Sequence, residues 1–325
     1  MTALASAQLL PADLVVRSID SRAEGVLEFS LGPEAPGLVL PEWAPGAHVT
    51  VHLAPGLARS YSLIGEMDRT AYRIAVGLDL HSRGGSRWLH ERVAIGDRLR
   101  VDPPVNSFRL VDAVPCLFIA GGIGITPFVS MIEKMSHEGR PWRAFVAARS
   151  ASRAAYLGAT AARAAETGAG LETWFDDERG GQVPDLAQLI ATVPGDWHLY
   201  CCGPAPMIDA FLTAARARPP VQVHTEYFRA EGPAGSERAF RVELARSGRS
   251  VEVPAGSSIL DALMMAGIDA PYSCYEGLCG TCETRVLEGV PEHRDQLLTD
   301  RARASNQTVI ICRSGSLTPR LVIDL

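Results

Sequence analysis

The chain has 325 residues, seven of them cysteine, and a formal net charge of −6. At roughly 100–200 residues per domain, that length suggests two or three domains. A hydrophobic fraction of 47% against 21% charged residues excludes a wholly disordered chain, and the mild acidity gives no support to a nucleic-acid binder, which draws on a basic surplus.

Up to Val16 the chain holds no Lys or Arg, and Asp13 interrupts a short apolar stretch. A signal peptide needs a basic start and a longer apolar run, so the chain reads as cytoplasmic. As far as Asp112, short alternating runs are separated by Gly, Pro and Asp: Gly25–Leu31, His48–Leu53, Arg59–Leu63, Tyr72–Leu78 and Arg98–Val101. Such a series predicts an antiparallel barrel or sandwich. On the third run, alternation puts Arg59 and Tyr61 on one face and Ser62 on the other. Arg83-Gly84-Gly85-Ser86 precedes a short helix, Ser86–Val93. Glycines there allow close backbone approach, and free N–H groups with the helix dipole suit an anion, to which Ser86 can add a hydroxyl.

Val114–Ile132 is uncharged over a length that could cross a bilayer. However, Pro115, Pro127 and the run Gly121-Gly122-Ile123-Gly124 read as strand, turn and helix, so no membrane span is expected. From there apolar runs at 116–120, 143–148, 171–175, 198–202 and 221–224 alternate with helical segments. This alternation predicts a parallel sheet with helices on both faces. Gly121-Gly122-Ile123-Gly124-Ile125-Thr126-Pro127 follows a strand and opens a helix, the context of a dinucleotide phosphate loop. It departs from Gly-x-Gly-x-x-Gly, because Pro127 stands where the last glycine would be. The second strand ends at Arg149-Ser150, without the usual ribose-binding acid. Cys202-Gly203-Pro204 ends a later strand, and Cys202, Cys201 and Cys116 read alone as small buried hydrophobes.

Residues 230–238 look like a linker. Beyond it, Phe240–Leu244 and Ser250–Val253 predict a strand pair, and Ser257–Ala266 a helix capped by Ser257 or Ser258. Strands near 309–313 and 320–325 close the chain. The remaining cysteines follow the pattern Cys274-x4-Cys279-x2-Cys282, with Cys312 further on. An odd cysteine count and no export signal argue against a disulfide framework. The spacing is that of a plant-type [2Fe–2S] cluster, where one tight loop gives three thiolates and a distant strand the fourth. Gly277, Gly280, Ser273 and Thr281 are small enough to let backbone N–H groups approach the sulfurs. Zinc and unliganded thiols are the competing readings, but zinc favours paired knuckles and only one close pair exists here.

Residues 240–325 thus resemble a plant-type ferredoxin, and the whole chain resembles the phthalate dioxygenase reductase family, which includes vanillate demethylase reductases. The resemblance implies an antiparallel β-barrel flavin domain (1–113), an α/β parallel-sheet nucleotide domain (114–229), a linker (230–239) and an α+β, β-grasp ferredoxin domain (240–325). Arg59-Ser60-Tyr61-Ser62 matches the family's Arg-x-Tyr-Ser motif. By that resemblance Tyr61 packs on the isoalloxazine, Ser62 sits near flavin N5, and Arg59 with Arg83, Gly84, Gly85 and Ser86 holds the phosphate. Reductases with a C-terminal ferredoxin imply FMN rather than FAD. The family's Pro-Arg-Asn segment is Pro104-Val105-Asn106 here, so that arginine is missing.

Gly121, Gly122, Gly124, Thr126 and Pro127, with Cys202, Gly203 and Pro204, resemble the family's nucleotide site, with Thr126 and Cys202 flanking the reactive nicotinamide carbon. Phe228, with Tyr227 as the other candidate, is the aromatic that covers the flavin until the nicotinamide displaces it. Arg149 could attract the 2′-phosphate of NADPH, but family members with a similar Ala-Arg-Ser segment use NADH, and NADH is the expected donor. A hydride carries two electrons and the cluster accepts one, so a flavin belongs between them. The implied path runs from NADH through FMN and the cluster to an outside oxygenase of Rieske type. A cytochrome P450 or other monooxygenase as the acceptor, or a redox sensor, are the alternatives. Glu276, Glu283, Glu288, Glu292, Asp295 and Asp300 suggest an acidic rim that could steer a basic partner. The chain is expected to be a monomer that binds neither nucleic acid nor membrane.

Overall fold

The computed structural model describes residues 11–325 except 36, 55–56, 68, 80–83, 219–220, 229–233, 273–274 and 279. They fall into two compact units: Met1–Leu53 with Tyr61–Phe228, and Ala54–Ser60 with Arg229–Leu325. Among the described residues, no helix is long and apolar enough to cross a membrane.

The chain begins with β1 (Ala12–Ala23), β2 (Val26–Pro33), β3 (His48–Ala54), β4 (Leu57–Ser62), β5 (Tyr72–Gly77), helix α1 (Gly85–Arg92) and β6 (Arg98–Val101). The strands form a six-stranded sheet in the order β4-β3-β6-β1-β2-β5. Leu63, just past β4, bridges to Ile74 of β5, so the two edges of the sheet meet. Alternation explains the fold: Leu14 and Val16 of β1 and Leu99 and Val101 of β6 are buried, while their sequence neighbours Asp13, Arg98 and Arg100 are exposed. The expected antiparallel barrel is therefore present.

Next come β7 (Cys116–Gly121), a 3-10 turn (Gly122–Ile125), α2 (Thr126–His137), β8 (Trp142–Ala148), α3 (Leu157–Thr167) and β9 (Gly170–Phe175). They are followed by α4 (Leu186–Ala191), β10 (His198–Cys202), α5 (Ala205–Arg216) and β11 (Gln222–Glu226). The five strands are parallel, in the order β11-β10-β7-β8-β9. Period-two burial sorts their side chains between two cores. Phe118, Ala120, Val146, Tyr200 and Cys202 pack with α2, whereas Leu117, Ile119, Phe145, Leu199 and Cys201 pack with α4 and α5. Near-continuous apolar strands are what a sheet covered on both faces requires. The first core also takes in Val26, Ile64 and Ala75 from the barrel. The barrel and the parallel sheet thus share one hydrophobic core.

The C-terminal unit holds β12 (Phe240–Leu244), β13 (Ser250–Val253), α6 (Ile259–Met265), β14 (Glu283–Glu288), β15 (Pro291–Glu292), α7 (Asp300–Ser305), β16 (Thr308–Ile310), β17 (Gly315–Ser316) and β18 (Arg320–Ile323). The main sheet runs β13-β12-β18-β14-β16, with β12 and β18 parallel and the other neighbours antiparallel. Ser258 is the α6 cap, and it closes a capping box with Asp261. Residues 230–233 of the expected linker lie outside the described residues. Its later part is packed down: Ser236 is buried, and Gly235 N donates to Arg313 O at 2.8 Å.

Two predictions follow from the parallel sheet. Replacing fully buried Phe118 with Ala should cost about 3–5 kcal/mol, read from denaturant unfolding. His198 Nδ1 and His224 Nε2 lie 2.9 Å apart on neighbouring strands. Burial, with His198 alongside, pushes His224 down to about 4 from its ordinary 6.5. The unfolded chain therefore binds a proton there at a pH where the folded chain does not, and stability falls as pH drops through that window. Wild type should lose more stability than His224→Gln between neutral pH and about pH 5. Equal losses would contradict this.

Candidate functional site

The parallel sheet places its switch point between β7 and β10, because the chain leaves β7 toward β8 on one side and returns as β10 on the other. Ligands of such sheets bind in the crevice beyond the strand ends there. Here the backbones meet closely. A Cβ on Gly124 would lie 2.1 Å from Cys202 O, and one on Gly121 would lie 2.6 Å from Pro204 Cδ. The 3-10 turn, α2 and the β10–α5 junction can pack this tightly only with glycine at these positions. Pro127 sits in the first turn of α2, where its missing N–H costs nothing.

Thr126 and Cys202 are both buried at this crevice. The Thr126 hydroxyl donates to Ile123 O at 3.0 Å. Burial, with Glu226 and Cys201 adding to it, pushes the Cys202 thiol well above its ordinary value. The thiol is therefore neutral and inert, as hydride chemistry without a nucleophile allows. Burial likewise pushes Cys116 and Cys201 up to about 12.

Arg149 is exposed just past β8. Its carbonyl accepts from Asp177 N at 3.1 Å, within the acidic turn Asp176-Asp177-Glu178 that follows β9. The usual fingerprint carries its acid at the end of the second strand; here the acids follow the next strand, β9. Tyr227 packs against the α4 and α5 core, while Phe228 is exposed.

On β4, Arg59, Ser60 and Tyr61 are half-buried and Ser62 is buried. Among the described residues the Ser62 hydroxyl has no hydrogen-bond partner. A buried orphan of this kind costs about 1–3 kcal/mol unless a ligand atom satisfies it, so Ser62 fits a polar ring atom bound there. Arg59 Nη1 donates to Ala58 O at 2.7 Å. Arg83 lies outside the described residues. Gly84 precedes α1 with φ 99°, Gly85 begins the helix, and no side chain caps it among the described residues. Ser86 Oγ accepts from Asp79 N at 3.2 Å, so its own hydrogen can point to an anion. Asn106, in the segment that lacks the family arginine, donates to Ala44 O and Pro45 O and braces that loop.

Cys274 and Cys279 lie outside the described residues. Cys282 and Cys312 are both buried. Register explains how cysteines so distant in sequence meet: Glu283 of β14 pairs with Ile310 of β16, and Ile311 N donates to Cys282 O at 3.4 Å. Gly277, at φ 70°, turns its N–H onto Cys312 Sγ at 3.2 Å. Such N–H···S bonds suit a thiolate that carries a metal cluster.

The expected acidic rim is only partly present. Asp295 is buried, accepts from Leu297 N and Leu298 N, and faces His293 and Arg303 at 3.7 Å each. Glu276 is buried beside Arg313, and Glu292 and Glu288 pair with Arg294 and Arg320. Composition gives the acids but not their burial or partners. Fully buried Arg313 went unnoticed in the sequence, although a charge directly after Cys312 in an apolar run is a signal of it.

A switch point between β7 and β10, a helix started by glycines beside a barrel, and buried Cys282 and Cys312 brought together by strand pairing fit an oxidoreductase with a flavin, a pyridine nucleotide and an iron–sulfur cluster. Comparison with known proteins agrees. Residues 242–315 match the 2Fe-2S iron-sulfur cluster binding domain family. The chain is 44% identical over 324 residues to the phenoxybenzoate dioxygenase subunit beta of Ectopseudomonas oleovorans, covering 99% of each. It is 39% identical to the vanillate O-demethylase oxidoreductase of Pseudomonas putida, covering 96% of this chain and 99% of that one. The crystal structure of phthalate dioxygenase reductase superposes with a TM-score of 0.82 at 32% identity, over 97% of this chain and 98% of that one. The chain belongs to the phthalate dioxygenase reductase family, the reductase components of multicomponent oxygenase systems.

The close approach at the switch point yields a prediction. Gly124→Ala must move the β10 end, so it should weaken pyridine-nucleotide binding at least tenfold by fluorescence titration while the cluster absorption persists. Unchanged nucleotide affinity would contradict the placement of this crevice.

Proposed function

We propose that this chain is an NADH-dependent reductase that holds FMN and a [2Fe–2S] cluster and supplies single electrons to a Rieske-type oxygenase. The observation that carries the flavin reading is the buried Ser62 hydroxyl at the end of β4, without a hydrogen-bond partner among the described residues. When bound, the flavin supplies the conversion between a two-electron donor and a one-electron cluster. The chain's own residues bind, orient and insulate.

In this reading Tyr61 packs on the isoalloxazine and Ser62 donates toward N5. Arg59, Arg83, Gly84, Gly85 and Ser86 hold the flavin phosphate at the N-terminus of α1, where the helix dipole favours an anion. Gly121, Gly122, Gly124 and Pro127 cradle the dinucleotide, with Gly203 and Pro204 opposite. Thr126 and Cys202 border the nicotinamide, Arg149 lies toward the adenosine end, and Phe228 covers the flavin in the nucleotide's absence. Cys274, Cys279, Cys282 and Cys312 ligate the cluster. The division into a flavin domain to residue 113, a nucleotide domain to 229 and a ferredoxin domain from 240 belongs to the same reading, as do a monomeric state and a cytoplasmic location.

NADH over NADPH is supported by the acidic turn Asp176-Asp177-Glu178 beside Arg149, since carboxylates there repel a 2′-phosphate. The Rieske-type acceptor is supported by the relatives named for a dioxygenase and an O-demethylase. Heat-released flavin should run as FMN on a chromatogram, and kcat/KM should favour NADH. An FAD peak, or a preference for NADPH, would overturn the respective choice. Phe228→Ala should change nucleotide affinity or the rate of flavin reduction by at least threefold in stopped flow. No change in either would remove Phe228 from the site.

A further inference from the structure

Arg313 follows the last cysteine of the cluster motif and is one of the largest fully buried side chains, with a side chain 1% exposed. A charge so deep in a small domain needs compensation. It comes from Glu276, whose Oε2 lies 4.0 Å from Arg313 Nη1 and whose side chain is 8% exposed. Glu276 is itself in the cysteine loop, between Cys274 and Cys279. The arginine stem runs directly beneath the loop. A Cβ on Gly277 would lie 2.7 Å from Arg313 Cγ, so glycine is needed there for the stem to pass. The same glycine donates its N–H to Cys312 Sγ at 3.2 Å. Among the other charges described nearby, Asp295 faces Arg303 at 3.7 Å. Arg313 and Glu276 are therefore a buried pair of opposite charges, 4.0 Å apart, next to the turn at Gly277.

A cluster gains one negative charge on reduction, and net charge with burial is among the protein's levers on its potential. In a low-dielectric site a nearby buried charge acts with little screening. We propose that Arg313 and Glu276 are a buried charge pair that sets the reduction potential of the cluster. The guanidinium favours the arriving electron, and the carboxylate opposes it while holding the arginine in place. This rests on the reading of Cys274, Cys279, Cys282 and Cys312 as ligands.

The test is a potentiometric titration of the full-length, cofactor-loaded protein, followed by the EPR signal of the reduced cluster. Arg313→Met should move the midpoint to more negative potential, and Glu276→Gln to less negative potential. Arg313→Lys, which keeps the charge, should stay near wild type, and the double variant Glu276→Gln/Arg313→Met should fall between the two singles. Should Arg313→Met shed its cluster, the sign of the Glu276→Gln shift and the Arg313→Lys midpoint decide alone. Shifts of the same sign, or midpoints unmoved with the EPR signal intact, would overturn the pair. A wild-type protein with no [2Fe–2S] signal would overturn the ligand assignment instead.

Discussion

The structure of the larger unit depends on one backbone contact: the turn after β7 lies against the end of β10, with Gly124 on Cys202 O and Gly121 on Pro204. Because Gly121 and Gly124 carry no side chain, β7 and β10 can be neighbours up to their last residues. The same turn launches α2, whose buried Phe128, Met131 and Met135 hold the core shared with the barrel. On the barrel side, Gly77 at the end of β5 abuts Ile123 in this turn. A disturbance at the glycines is therefore transmitted to the sheet, the helix and the barrel together.

The ionisable groups follow two regimes. Thiols of the parallel sheet are buried among apolar side chains, which keeps them protonated and unreactive. Those of the C-terminal unit, Cys282 and Cys312, sit where backbone N–H groups and buried charges gather. The same residue type thus packs among apolar side chains in one place and beside polar and charged groups in the other, and neighbours rather than identity make the difference.

Much of this was legible in the sequence because it was local. The cysteine spacing, the Gly121–Pro127 run and the Ser258 cap each carry their meaning within a few residues. Cysteines destined for the core were legible too, since they sit in alternating apolar runs. What escaped reading depends on partners far along the chain. Composition places Glu276 and Asp295 among rim acids, yet Arg313 and Arg303 lie across from them. The acidic turn beside Arg149 comes from the strand after the one that the usual fingerprint names. Burial of Ser236 in the segment read as a linker follows from its fit against Ser316, whose carbonyl accepts its hydroxyl at 3.2 Å. None of these contacts leaves a periodic trace.

Electrons from a pyridine nucleotide should reach the iron–sulfur cluster within this one chain. Anaerobic titration of the purified protein with NADH, followed by absorbance and by EPR on the same samples, tests it most directly. The account predicts bleaching of flavin and iron–sulfur absorption together with the appearance of a reduced [2Fe–2S] signal. Flavin bleaching with no reduced-cluster signal, or no flavin absorption at the outset, would contradict it.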